Sequence, residues 1–326
     1  MTQEQNLLTG SVPKKLIQFA FPLFVANLLQ ALYNVVDMLV VGKMVGETGL
    51  AAISNASMLC FIINSLCIGL TMGGSVLVAQ YKGAGDPKGQ HDTIGMLFLL
   101  SLAASVVVTM LGLAVYESLF RALDVPAEAY PVACCYMEII CWGTVFVFGY
   151  NTVCSILKGL GDSKTPLFFV GVATILNVLL DVLLVGPCSM GTAGAAWATI
   201  TAQGVSFVGS LAYLKRYQLN VSLRKIEFRG EILLAILKVG LPTATQMVVV
   251  NTAYLLVTGM LNPFGTAVAA ASGVGLKINT FAGMHCWAIG QAITAMVGQC
   301  MGASQIQRAR QVVRSGLLLN LAVTAA

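Results

Sequence analysis

Charge is what this sequence has least of. Of its 326 residues only 10% are Asp, Glu, Lys or Arg, whereas a soluble domain carries about 25%. A disordered chain and a nucleic-acid binder are excluded by that scarcity. Metal-binding patterns are missing too: the nine cysteines include no Cys-x-x-Cys and no Cys/His cluster at ligand spacing. Most of them (Cys60, Cys67, Cys141, Cys154, Cys286) sit inside apolar runs as small fillers. Cys134 and Cys135 are adjacent and poorly placed to bridge, so a disulfide scaffold is excluded as well. No secretory leader is expected, because the first fifteen residues are polar and the first apolar run is too long for one.

What fills the chain instead is apolar. Hydrophobic residues make up 57% and the mean hydropathy is +0.85, the composition of a polytopic helical membrane protein. Apolar runs long enough to cross a bilayer fall near Leu16–Val41, Leu50–Gln80, Thr93–Tyr116, Tyr130–Leu157, Pro166–Val185, Thr192–Leu214, Ile232–Leu261 and Ala267–Val297. A ninth begins near Val312. The expected fold is therefore all-α and integral to the membrane, with eight complete transmembrane helices and a partial ninth. Barrel strands would alternate over about ten residues, and no such pattern is present.

The basic residues orient the spans. Fourteen of eighteen lie at the N-terminus or after even-numbered spans: Lys14, Lys15, Lys82, Lys88, Lys158, Lys164, Lys215, Arg216, Arg224, Lys225, Arg229, Arg308, Arg310 and Arg314. The opposite loops hold two, Lys43 and Arg121. The positive-inside rule then puts the N-terminus in the cytoplasm, in a multi-pass protein of the cell inner membrane.

A repeat divides the chain. At an offset of about 219, Pro22 matches Pro242, Ala51-Ala52 matches Ala269-Ala270, and Val78, Gln80, Gly83 and Ala84 match Val297, Gln299, Gly302 and Ala303. Six spans separate the copies, so they enter the membrane in the same sense as parallel repeats. The expected units are a first six-helix bundle over 1–214, a cytoplasmic linker over 215–231 and an incomplete second bundle over 232–326. The run ending at Thr324-Ala325-Ala326 reads as a cut within the ninth helix of a twelve-helix protein.

Several motifs in this order resemble the multidrug and toxic compound extrusion (MATE) family. They are Pro22 with Gln30, Tyr33 and Val36-Asp37; Ala79-Gln80 followed by Gly83-Ala84-Gly85-Asp86; Lys158-Gly159-Leu160-Gly161-Asp162 with Thr165-Pro166; and Asn177-x-x-x-Asp181. The charged first helix and the Asn177/Asp181 pair are most similar to the bacterial and archaeal branch related to the DNA-damage-inducible group. The resemblance implies a cation-coupled antiporter that expels organic, often cationic compounds.

Acids inside a bilayer are costly and mark function. Asp37 and Asp181 each lie about 8 Å from the outer end of a span at 1.5 Å per residue. Asn177 is one turn deeper than Asp181 on the same face, and Thr199 descends on the sixth span to a comparable depth. These four are the expected cation-coupling residues, suited to H⁺ or Na⁺, and the resemblance assigns the same positions to the family's cation site. Gln30, Tyr33 and Asn34 form one stripe on the first span, and with Tyr150 and Asn151 they are expected to line a substrate cavity, Tyr33 offering a ring face to an organic cation. Pro22 and Pro242 are expected hinges or fixed bends.

Partners follow from this reading: small organic substrates and the lipid bilayer, with no nucleic acid and no obligate protein partner. No cofactor is expected beyond the transported H⁺ or Na⁺, and no metal beyond a Na⁺ at the coupling site. Gly159–Thr165 lacks the glycine that a phosphate loop needs, which removes an ATP site. An integral-membrane enzyme would need a nucleophile cluster or metal set, and neither is present. The remaining alternatives are a lipid-linked oligosaccharide flippase, which would want several cations in its cavity, and an inactive truncated fragment.

Overall fold

Helices begin and end where local chemistry dictates. The computed structural model describes residues 6–123, 125–214, 228–261 and 266–325. Among them are nine helices and no strand: α1 (Val12–Met44), α2 (Glu47–Ala84), α3 (Pro87–Ala122), α4 (Tyr130–Leu160), α5 (Lys164–Val185), α6 (Gly191–Leu214), α7 (Gly230–Leu261), α8 (Thr266–Gly302) and α9 (Ile306–Ala325). Asp86 caps α3, accepting from the Lys88 and Gly89 amides at 3.1 and 3.0 Å. Pro87 follows where its missing N–H costs nothing. Gly161 closes α4 at φ +91°, a left-handed conformation that side chains disfavour. Asp162 then accepts from the amides of Lys164 and Thr165, both at 3.0 Å, and so starts α5.

Each expected span falls inside one helix, and the helices overrun the apolar runs into their polar flanks. Among the described residues, α1 to α5 and the Gly230–Tyr254 part of α7 are long and apolar enough to cross a membrane. Many large apolar side chains point outward, Phe21, Phe61, Met110, Trp142, Phe168 and Leu179 among them. That is the surface expected of a protein solvated by lipid.

Linker residues 215–227 lie outside the described residues, as do the side chains of Ala269, Ala270 and Lys277. Helices α1 and α7 run on through Pro22 and Pro242 without a break. Pro22 is buried and Pro242 is exposed.

The first helix of each expected half reaches across to the other. Helix α7 lies along α2, where Gly69 and Gly73 face the backbone of Ala244, Ile236 and Gly240. Helix α1 lies along α8 and α9 as well as α5. Its Leu16, Phe19, Ala20 and Leu23 form one core with Ala288, Ala292, Met296 and Val312. Small residues at such crossings let backbones approach where lipid supplies no hydrophobic drive. The same device recurs where α2 crosses α8, at Gly83, Gly298 and Gly302.

Candidate functional site

Helices α1, α5 and α6 converge on a polar cluster near the end of the bundle opposite Gly85 and Gly161. Asp37 on α1, and Asn177 and Asp181 on α5, are 7%, 2% and 0% exposed. The Asn177 side-chain amide donates to the Thr199 hydroxyl at 3.4 Å, and Tyr33 and Thr199 line the same small space. The two carboxyl groups are within electrostatic reach of each other. One Asp37 oxygen, both Asp181 oxygens and the Asn177 carbonyl oxygen have no hydrogen-bond partner among the described residues.

That set of buried, unanswered acceptors is costly as it stands. A buried acceptor without a donor forfeits about 1–3 kcal/mol, and a charged one more. Two buried carboxyl groups within electrostatic reach of each other disfavour a second charge, which a proton or a cation relieves. The donor set is all oxygen, the kind that hard cations take, and it equally suits a shared proton. The four expected coupling residues are thus brought together by three helices.

Next to the cluster lies a small void lined by Gln30, Tyr33, Tyr150, Asn177, Thr199 and Gln203, among others. Its free space of about 20 Å³ is close to the roughly 10–15 Å³ that one water needs. It has the size of an ion or a water, not of an organic compound. The Tyr150 hydroxyl and the Gln203 carbonyl oxygen at its wall have no hydrogen-bond partner among the described residues.

A second, larger cavity of about 120 Å³ opens between α1, α2, α4 and α8. Gln30 borders both spaces, and Asn151 borders only the larger one. Asn34 is exposed and borders neither. The expected stripe of α1 therefore splits: Tyr33 and Asp37 turn to α5 and α6, while Asn34 turns away.

Three residues escaped the sequence reading. Tyr136 of α4 is 7% exposed and within electrostatic reach of Asp37, Tyr33 and Asp181. No spacing on its own helix announces that. Gln203 was legible, standing four residues after Thr199 and hence on the same face of α6. Lys158, counted as a loop cation, lies inside α4 and borders the larger cavity.

Comparison with known proteins bears on what such a site does. The MatE family model matches residues 22–183 and 242–326. "Probable multidrug resistance protein YpnP" of Bacillus subtilis (strain 168) is 32% identical over 300 residues, covering 92% of this chain and 67% of that protein. "Probable multidrug resistance protein YoeA" of the same organism is 29% identical over 333 residues, 98% of this chain and 72% of that protein. A solved structure, described as the outward-facing conformation of a multidrug resistance MATE family transporter of the MOP superfamily, superposes with a TM-score of 0.92 at 25% identity. It covers 99% of this chain and 72% of that one. The chain spans about two thirds of the length of the first of these relatives.

Proposed function

Since the chain belongs to the MatE family, whose members are membrane transporters and not enzymes, we propose that it acts as a multidrug efflux antiporter. In this reading H⁺ or Na⁺ entering at Asp37, Asn177, Asp181 and Thr199 drives the export of organic, often cationic compounds. One observation carries it: two buried carboxyl groups with oxygens unpartnered among the described residues share a cluster with Asn177 and Thr199, and those two line a void of ion or water size. An acid within a bilayer must be protonated, paired or ion-bound. Its occupancy is a switch wherever the cation binds the inward- and outward-facing states unequally.

The orientation belongs to the same proposal. The N-terminus and the 215–231 linker are cytoplasmic, and the turn at Pro187–Thr192 is outside, in the cell inner membrane. The two halves are parallel repeats, a reading supported by the way α1 packs on α8 while α7 packs on α2. Pro22 and Pro242 serve as the bends of the two first helices. A lipid-linked oligosaccharide flippase is the weaker reading, because the cluster on α1 and α5 is acidic.

Transport into reconstituted vesicles with imposed H⁺ and Na⁺ gradients tests the proposal. Asp37→Asn imitates a permanently protonated acid and should abolish ion-driven efflux while leaving insertion intact. Asp181→Asn should weaken coupling as strongly if the two acids share one cation. Wild-type rates and ion dependence in Asp37→Asn would overturn the assignment.

A further inference from the structure

We propose that Arg308 latches the two halves together at the end of the bundle that carries Gly85 and Gly161, and that this latch opens during transport. The proposal rests on the transporter reading and makes Arg308 a positioning residue within it. Residues 6–11, ahead of α1, run as a strap without helix and reach α9 of the other half. Arg308 grips that strap with three N–H groups. Its Nε and Nη2 donate to the Leu7 carbonyl at 3.3 and 3.0 Å, and its Nη1 donates to the Gly10 carbonyl at 3.0 Å.

Helix propensity does not account for an arginine at this position. Arg308 is the third residue of α9, whose first turn holds no acid, and a cation there opposes the helix dipole. No salt bridge to Arg308 is present among the described residues. What answers the guanidinium is the strap, whose carbonyls lack the partners that a helix would give them. Gly10 turns the strap at φ +84°, in the left-handed region that favours glycine. Beside the clamp, Leu7 is 0% exposed and shares one core with Val12, Cys300, Ala309 and Val312.

Such a contact is suited to release. Transporters built from repeats alternate by rocking one half against the other, so bonds across the seam at one end part in one of the two states. Two further hydrogen bonds cross this seam, from Lys158 to the Gln291 side-chain carbonyl at 2.8 Å and from Gln299 to the Gly159 carbonyl at 2.9 Å. The clamp differs from both in joining a half-buried Arg308 to an exposed Gly10, where water replaces the carbonyls at small net cost. Behind it, α8 offers α1 the small side chains of Ala288, Ala292 and Ala295, which bury less apolar area than larger ones would. Arg308 therefore biases the halves toward closure, and its loss shifts the population toward the open state.

Thiol labelling of the purified protein in nanodiscs makes the test, with both membrane faces in water and no ion gradient. One reporter is Ala292→Cys in a background with the native cysteines replaced. Ala292 is 0% exposed and lies about 15 Å along α8 from Gly302 at 1.5 Å per residue, too deep for the loss of one side chain at Arg308 to uncover it. The second reporter keeps Cys141 alone, which is 0% exposed and faces Gly112 of α3 inside the first bundle. When opening is fast relative to labelling, the rate follows the open population. Arg308→Gln should speed labelling at position 292 about tenfold and leave Cys141 unchanged. Arg308→Lys should fall in between, since an ammonium lacks the fork that spans both carbonyls. Gly10→Ala is strained at that φ but would meet only the Lys15 Cε, at 3.7 Å. It should act in the same direction without touching α9. Wild-type labelling at position 292 in Arg308→Gln, or an equal rise at Cys141, would overturn the proposal. Because labelling is read alone, absence of ion-driven efflux in the wild type would defeat the antiporter reading and leave the latch standing.

Discussion

Gly83 and Gly302 are reciprocal. A side-chain carbon at Gly83 would run into the backbone carbonyl of Gln299, and one at Gly302 would run into the backbone carbonyl of Gln80. Each glycine faces the residue three positions before the other, as a two-fold axis between α2 and α8 would require. Backbone, unlike a flexible side chain, cannot turn aside to make room.

Gly302→Ala and Gly83→Ala should therefore each destabilise the protein by about 1–3 kcal/mol. Gly283→Ala, where nothing lies within 4 Å, should be close to neutral. Thermal unfolding in detergent, with Gly283→Ala as the control, checks this. Melting temperatures at wild-type level for both crossing variants would refute the close approach.

Gln299 and Gln80 occupy matching positions but have unequal surroundings. The buried Gln299 amide donates to the Gly159 carbonyl at 2.9 Å, one of the last carbonyls of α4 and so without a partner in its own helix. Gln80 is exposed. Gln299→Leu should cost about 1–3 kcal/mol by orphaning that carbonyl, and Gln80→Leu should cost little. Equal melting temperatures for the two variants would count against the bond.

Thr199→Val should weaken the coupling cation without abolishing its effect. The hydroxyl accepts from the Asn177 amide but carries no charge, so a loss of about tenfold in apparent ion affinity is expected. Transport rates measured against ion concentration check it. An effect as complete as that of Asp37→Asn would mean that Thr199 matters as much as the acid and would refute this expectation.

Orientation can be read from a native residue. Cys188 is exposed in the turn between α5 and α6. With the other cysteines replaced, an impermeant maleimide should label it in intact cells. Labelling only after permeabilisation would invert the topology.

The helices were legible because crossing a bilayer demands long apolar runs, and such runs survive reading one residue at a time. Asp37, Asn177 and Asp181 were legible because a polar group in such a run stands out. Lys158 was misread for a related reason. The charge tally treats every lysine beyond an apolar run as a loop residue, whereas α4 continues to Leu160 and carries Lys158 inward. Tyr136 and Gln291 were invisible because their meaning lies on neighbouring helices, and no period along one helix encodes what another brings to it. Asn34 shows the converse, since sharing a stripe with Tyr33 did not bring it to the same cavity.

The packing of α1 has a consequence for how the protein is made. The half of α1 from Leu16 to Leu23 is covered by α8 and α9, which leave the ribosome only after some 250 further residues have been joined. At about 5–20 residues per second, the first helix waits tens of seconds in the membrane for its neighbours. Its other half meets α5 sooner, so Asp37 finds shelter while the Leu16–Leu23 face is still bare. Biogenesis thus runs in two stages, and the nascent chain is most exposed to mispairing and quality control between the emergence of α5 and that of α8.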